Sequence, residues 1–233
     1  SFDPHLLDEI GVPIENLVVD SRQIKHGDTF LAYAGEKSDG RKFIPQAIAA
    51  GANAILWDPQ NFSWNPDWHI PSLPISELKT KSGLIANHVY GKPSEKLWAV
   101  GITGTNGKTS TVQMIAQAVS ALGKKAGTIG TLGAGLYGHL VAGERTTPDV
   151  IAVHRALADM RDAGAQLVAM EVSSHALDQG RVEGVKFSTA VFSNLTLDHL
   201  DYHGTMQAYF DAKAKLFAWP TLQHAVVNID DSF

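Results

Sequence analysis

The chain has 233 residues and a formal net charge of −5, with 44% of its residues hydrophobic and 18% charged. That is enough material for two modest domains with cores of their own, and the acidic balance argues against nucleic acid as the main partner, because a phosphate backbone demands a basic face. Cysteine is absent, which excludes disulfides, thiolate metal sites and cysteine nucleophiles; no apolar run reaches about 18 residues and no signal pattern opens the chain, so membrane insertion and secretion are not indicated.

Apolar runs predict strands at 17–19 and 29–33 on either side of the turn Lys25-His26-Gly27-Asp28, then a helix over 44–50 and a strand over 54–57. Pro, Asn and Trp mark 58–74 as loop, a short helix follows at 79–89, and Tyr90-Gly91-Lys92-Pro93-Ser94-Glu95 has linker composition. A small α/β domain is therefore expected over 1–95 and a second domain over 96–233. In the second, strands at 97–102, 167–172, 188–193 and 225–229 alternate with helices at 108–122, 148–163 and 205–217. Alternation of this kind implies a mostly parallel sheet with functional groups gathered at the strands' C-terminal ends. The stop soon after Val226-Val227-Asn228-Ile229 reads as a cut within a longer protein.

Chemistry concentrates where such a sheet displays it. Gly101-Ile102-Thr103-Gly104-Thr105-Asn106-Gly107-Lys108-Thr109 joins an apolar strand to an amphipathic helix through a glycine-rich turn. The pattern G-x-x-x-x-G-K-[ST] would place glycine where Ile102 stands, yet the parts of a triphosphate cradle are all present. Backbone N–H groups from Gly104, Thr105, Asn106, Gly107 and Ser110 and the helix dipole face phosphates, Lys108 reaches the outer ones, and Thr109 offers a hydroxyl to Mg²⁺. ATP with Mg²⁺ is the expected ligand.

Three further constellations accompany it. Leu167-Val168-Ala169-Met170-Glu171 is a buried-type strand ending in a carboxylate, which serves either Mg²⁺ or the cap of a neighbouring helix. The stretch 192–203 is dense in acids and imidazoles, so that His199 or His203 is a candidate ligand. In Met206 to Phe217, steps of three or four residues put Lys213 on the apolar face and turn Lys215 away from it. A lysine drawn toward a core either snorkels outward or is kept there for charge chemistry. A neutral lysine amine can also add CO₂ and become an anionic carbamate.

Taken together, Thr103 to Thr109, Thr146-Thr147-Pro148-Asp149, Met170 to Val182 and Asp198-His199-Leu200-Asp201-Tyr202-His203-Gly204 resemble the Mur ligases, and among them the UDP-N-acetylmuramoyl-tripeptide synthetases of the MurE type. The similarity runs from Asp20-Ser21-Arg22 to Asn228. It implies a UDP-muramoyl-peptide domain over 1–95, most of a P-loop ATPase domain over 96–233, and a C-terminal amino-acid-binding domain that this chain does not contain. It implies a bacterial cytoplasmic ligase, monomeric, that takes UDP-MurNAc-L-Ala-D-Glu and a diamino acid, meso-diaminopimelate or L-lysine, through an acyl phosphate. Catalytic roles then fall on Lys108, Glu171, His199 and Lys213; Thr109, Glu171, His199 and carbamylated Lys213 hold metal. Ser21, Thr146, Thr147, Ser173, Ser174, Gln179 and Arg181 bind the muramoyl peptide, and the Gly35–Arg41 loop joins Ser21 at the UDP group. The chain by itself is expected to bind without turnover. A folylpolyglutamate synthase-like ligase and a non-catalytic nucleotide or UDP-sugar binding module are the alternatives, and Asp20-Ser21-Arg22 ahead of the P-loop argues against the first.

Overall fold

The computed structural model describes residues 2–194 and 206–230. The chain divides into two compact units, residues 1–90 and 91–233.

The first unit is built on a parallel four-stranded sheet, β1 (Leu17–Val18), β2 (Thr29–Ala32), β3 (Ala54–Trp57) and β4 (Ser72–Pro74), in the spatial order 1-2-3-4. All four residues of β2 are buried, so both faces of the strand are covered, and its run of unalternated Phe30, Leu31 and Ala32 is what a parallel sheet requires. Helix α1 (Ile44–Ala49) places Ile44 and Ala47 against Phe30 and Ile55; α2 (Leu78–Val89) buries Leu78, Ile85 and Ala86. Strand β4 lies in the stretch read from sequence as loop. It is three residues long with Pro71 before it and Pro74 at its end, and only its parallel pairing with β3, Ile55 to Ser72 through Trp57 to Pro74, makes it a strand. Arg41, 6% exposed, ties this region together. Its guanidinium donates to Asp39 and to the carbonyls of Asp58 and Gln60, and it lies 5.1 Å from the Phe62 ring centroid. The Asp39 carboxyl is held below its usual range chiefly by the hydrogen bond from Arg41.

The second unit is a six-stranded sheet. Its strands are β5 (Trp98–Thr103), β6 (Ala126–Gly130), β7 (Gly133–Leu136), β8 (Leu167–Glu171), β9 (Thr189–Phe192) and β10 (His224–Val227), ordered 10-9-5-8-6-7. Every pairing is parallel except β6 with β7. The helices are α3 (Lys108–Ala121), α4 (Val150–Asp162), α5 (Ser174–Asp178) and α6 (Met206–Ala214). Strand β5 lies between β8 and β9, and the chain leaves it through α3 for β6 on the β8 side. The sheet order reverses at β5, which puts the ligand crevice at its C-terminal end.

The β6–β7 hairpin has no counterpart among the strands read from sequence. Four of its residues are glycine, which weakens any β signal, and at each of the four a Cβ would come closer than 3.0 Å to a neighbour. A Cβ on Gly127 would come within 2.2 Å of the Met160 sulfur, and one on Gly130 within 1.8 Å of a Glu171 carboxylate oxygen.

Helix α4 begins where Asp149 accepts from the N–H groups of Ile151 and Ala152 at 3.1 and 3.0 Å, a cap worth about 1 kcal/mol. Its inner face carries Ile151, Val153, Leu157 and Met160, and also His154, which is 0% exposed. The His154 Nε2 donates to the Glu183 carbonyl at 2.8 Å, and Nδ1 has no partner among the described residues. Burial pushes the imidazole below its ordinary value of 6.5. In the window between the native and the ordinary value, the unfolded chain binds a proton that the native chain does not, so stability falls as pH drops below about 6.5. The loss is expected to approach 1.4 kcal/mol per pH unit at its steepest. Denaturant melts at pH 7.5 and 5.5 should show a smaller difference for His154→Gln, which can still donate to Glu183; an unchanged difference would clear His154 of the effect.

Candidate active site

The loop between β5 and α3 is set by glycine at two places. Gly104 has φ +138° and Gly107, which precedes the first residue of α3, has φ +84°; both values lie in the region that favours glycine. A Cβ on Gly104 would also approach Ser193 Oγ to 1.9 Å. The chain after β9 straps this loop down. Thr105 N–H donates to the Asn194 carbonyl and Asn106 N–H to Asn194 Oδ1, each at 2.9 Å, while Ser193 Oγ donates to the Asn106 carbonyl at 2.7 Å. Two of the amides read as phosphate donors are thus engaged with Asn194. Helix geometry leaves the first-turn amides of α3, beginning at Lys108, without intrahelical acceptors at the mouth of the loop. The Lys108 ammonium donates to the carbonyls of Gly104 at 2.7 Å and Thr105 at 3.2 Å, so its charge sits over the loop.

Glu171 stands at the tip of β8, 2% exposed. Its Oε1 accepts from the Thr109 hydroxyl at 2.8 Å and from the Thr131 hydroxyl at 3.2 Å, and its Oε2 accepts from the Thr131 N–H at 2.6 Å. The two readings of this carboxylate from sequence were metal service or a helix cap; its partners here are the P-loop threonine and the end of β6. An open depression of about 260 Å³ is lined by Thr105 to Ser110 together with Thr131, Thr146 and Glu171. A hydroxyl and a carboxylate in contact, facing a cavity, form an oxygen donor set suited to a hard divalent cation.

The residues read as acceptor binders continue from the same carboxylate. The hydroxyls of Thr131 and Thr146 are 3.1 Å apart. Thr147, fully buried, donates its hydroxyl to the Glu171 carbonyl at 2.8 Å and accepts the Ser173 N–H at 3.3 Å. Arg181 donates to the Thr147 carbonyl at 3.1 Å and to Gln179 Oε1 at 3.0 Å. Ser173 caps α5 by accepting from Ala176 N–H at 3.1 Å. Ser174, 1% exposed, has a hydroxyl with no partner among the described residues, a buried polar group that a ligand could satisfy. Ser21 belongs to the first unit, where its hydroxyl donates to Gln46 Oε1 at 3.2 Å.

Lys213 is 1% exposed on α6, so its side chain does not snorkel to solvent, whereas Lys215 is half exposed and paired with Asp178 at 3.2 Å. The packing that turns Lys213 inward includes Ala212 and Leu216, both buried, and a Cβ on Gly101 would already press within 3.2 Å of Leu216 and 3.1 Å of Phe187. Helix α6 packs against α5, the short helix that follows Glu171. His199 and His203 lie outside the described residues.

Thr131 and Asn194 were not singled out from sequence. Asn194 lies two residues past the end of β9, so the rule that polar residues at strand ends face the crevice could have found it; Thr131 is in the turn after β6, a strand whose glycines hid it.

A glycine-rich loop carrying lysine and threonine into a helix, beside a carboxylate on the adjacent strand tip, defines an α/β protein of the P-loop type. Residues 102–233 match the Mur ligase middle domain and residues 13–90 match the family's catalytic-domain description. The chain belongs to the Mur ligase family. It is 54% identical, over its whole length, to a UDP-N-acetylmuramoyl-L-alanyl-D-glutamate–2,6-diaminopimelate ligase of Chromobacterium violaceum, covering 47% of that protein. It is equally identical over 226 residues to the protein of that name from Nitrosomonas europaea, covering 97% of this chain and 43% of the relative. A solved ligase of the same name superposes on 94% of the chain and 44% of its own length with a TM-score of 0.76 at 32% identity. The chain thus spans less than half the length of these relatives.

Proposed function

We propose that this chain carries the muramoyl-peptide and nucleotide parts of an ATP-dependent ligase that joins diaminopimelate to UDP-N-acetylmuramoyl-L-alanyl-D-glutamate in the bacterial cytoplasm. The observation that carries the reading is the contact of Thr109 with Glu171 inside a cavity whose other wall is Thr131 and Thr146. This contact supports the reading, because it joins the groups assigned here to phosphate and those assigned to the acceptor in one hydrogen-bonded network. The relatives' names carry 2,6-diaminopimelate, which favours it over L-lysine between the two diamino acids that the sequence left open.

In this reading the dipeptide carboxylate attacks the γ-phosphorus of ATP and ADP departs, and the incoming amine then displaces phosphate from the acyl phosphate. Both steps concentrate negative charge. Lys108 holds positive charge at the loop mouth, and the first-turn amides of α3 add theirs. Thr109 and Glu171 would hold one Mg²⁺; Glu171, His199 and carbamylated Lys213 would hold another, and the ions supply neutralisation of the phosphoryl oxygens. Thr146, Thr147, Ser173, Ser174, Gln179 and Arg181 orient the acceptor, and Ser21 with the Gly35–Arg41 loop holds the UDP end. Arg41 contributes by fixing that loop, since its guanidinium is committed to Asp39, Asp58 and Gln60.

Calorimetry tests the reading directly. The 233-residue chain should bind UDP-MurNAc-L-Ala-D-Glu and Mg²⁺-nucleotide, and should form no tripeptide when diaminopimelate and ATP are supplied. Lack of binding to either ligand refutes the reading; multiple turnovers would refute the need for the rest of the protein. Preference for a folate over the muramoyl dipeptide would favour the folylpolyglutamate alternative.

A further inference from the structure

We propose that Thr131 is the positioning residue for Glu171, a role that rests on the nucleotide reading above and assigns to the end of β6 the task of setting the metal site's geometry. Glu171 has two oxygens with different anchors. Oε2 is pinned by the backbone N–H of Thr131 at 2.6 Å, and Oε1 is shared between the hydroxyls of Thr131 at 3.2 Å and Thr109 at 2.8 Å.

A threonine hydroxyl that binds a cation does so through its lone pairs and can still donate its proton to a carboxylate. The Thr109–Glu171 contact alone would leave that carboxylate free to pivot about its own side chain. Thr131 removes this freedom, because it grips both oxygens from one residue and fixes the plane of the carboxylate against Thr109. Gly130 completes the arrangement from behind. A Cβ there would lie 1.8 Å from Oε2, 2.6 Å from Cδ and 2.9 Å from Cγ of Glu171, so the carboxylate rests directly on the glycine. The glycine in front of Thr131 and the hydrogen bonds from Thr131 therefore serve one end: a carboxylate held at fixed orientation beside the P-loop threonine.

Thr131 is exposed at the rim of the cavity, so replacing it does not open the core. Thr131→Val keeps the shape and the backbone N–H and removes the hydroxyl; Thr131→Ser restores it. Calorimetric titration of the 233-residue chain with the ATP analogue AMP-PNP, in EDTA and again in excess Mg²⁺, separates nucleotide affinity from its metal-dependent part. Loss of one hydrogen bond to a charged partner should cut the Mg²⁺-dependent gain in affinity about tenfold in Thr131→Val, with affinity in EDTA unchanged and Thr131→Ser close to the unmodified chain. A purely structural role would instead lower both affinities together, or lower the melting temperature without touching the Mg²⁺ dependence. An undiminished gain in Thr131→Val, or a loss as large in Thr131→Ser, overturns the assignment while leaving the nucleotide reading intact. Failure of the unmodified chain to bind AMP-PNP overturns both.

Discussion

Lys108→Ala, introduced into a full-length ligase of the proposed kind, is expected to lower kcat by at least about 100-fold, some 2.7 kcal/mol of transition-state stabilisation. The charge of Lys108 is held over the loop mouth by the carbonyls of Gly104 and Thr105, so it is in place before phosphates arrive. Preorganised charge of this kind acts on the developing charge of phosphoryl transfer without further reorganisation. The fold should survive, because Lys108 is only partly buried and the loop keeps its straps to Ser193 and Asn194. Initial rates together with a thermal melt decide the matter: an unchanged melting temperature with lost turnover is expected, and near-normal ligation would remove Lys108 from the mechanism.

Lys213→Ala should be comparably damaging, and the comparison with its neighbour makes the case. The lysine ammonium first loses a proton; the neutral amine then adds CO₂, forming an N–C bond and losing a second proton, so that a cation becomes an anionic carbamate whose oxygens suit Mg²⁺. Lys213 is 1% exposed and cannot carry its charge out to water, whereas Lys215 is half exposed in an ion pair with Asp178. Exposed pairs contribute roughly 0–1 kcal/mol, so Lys215→Ala is expected to be nearly silent. Lys213→Ala should lose about 100-fold or more in turnover, Lys213→Glu or added short carboxylic acids should return part of it, and activity should depend on dissolved CO₂. Equal sensitivity of the two lysines, or full activity after rigorous removal of CO₂, would discard the carbamate.

How far the sequence reaches depends on whether a signal is local. The strand at β5, the glycines at 104 and 107 and the Gly-Lys-Thr turn are read directly, because each is a backbone requirement that neighbouring residues reveal. Helix α4 was equally legible: a cap at Asp149 and apolar residues on one face are written within a few turns. The inward phase of Lys213 followed from counting along α6. The hairpin β6–β7 was not legible, since the glycines of β6 answer to Met160 and Glu171, residues distant in the chain, and the four glycines together erase the very pattern that identifies a strand. Thr131 was hidden with it, and β4 was too short and too rich in proline to show any period.

The sequence by itself therefore determined the class of fold, the glycine-rich turn between β5 and α3, the carboxylate at the tip of β8 and the family, for these rest on contiguous motifs with a physical requirement at each position. Tertiary structure alone decided which strands flank β5, that Glu171 contacts Thr109, that Thr131 grips the same carboxylate, and that Asn194 occupies two loop amides. Hydrogen bonds between strand ends join residues such as Thr103 and Ser193, 90 positions apart along the chain. Only the order in which strands pair brings such residues within reach of one another, and no local pattern encodes that order.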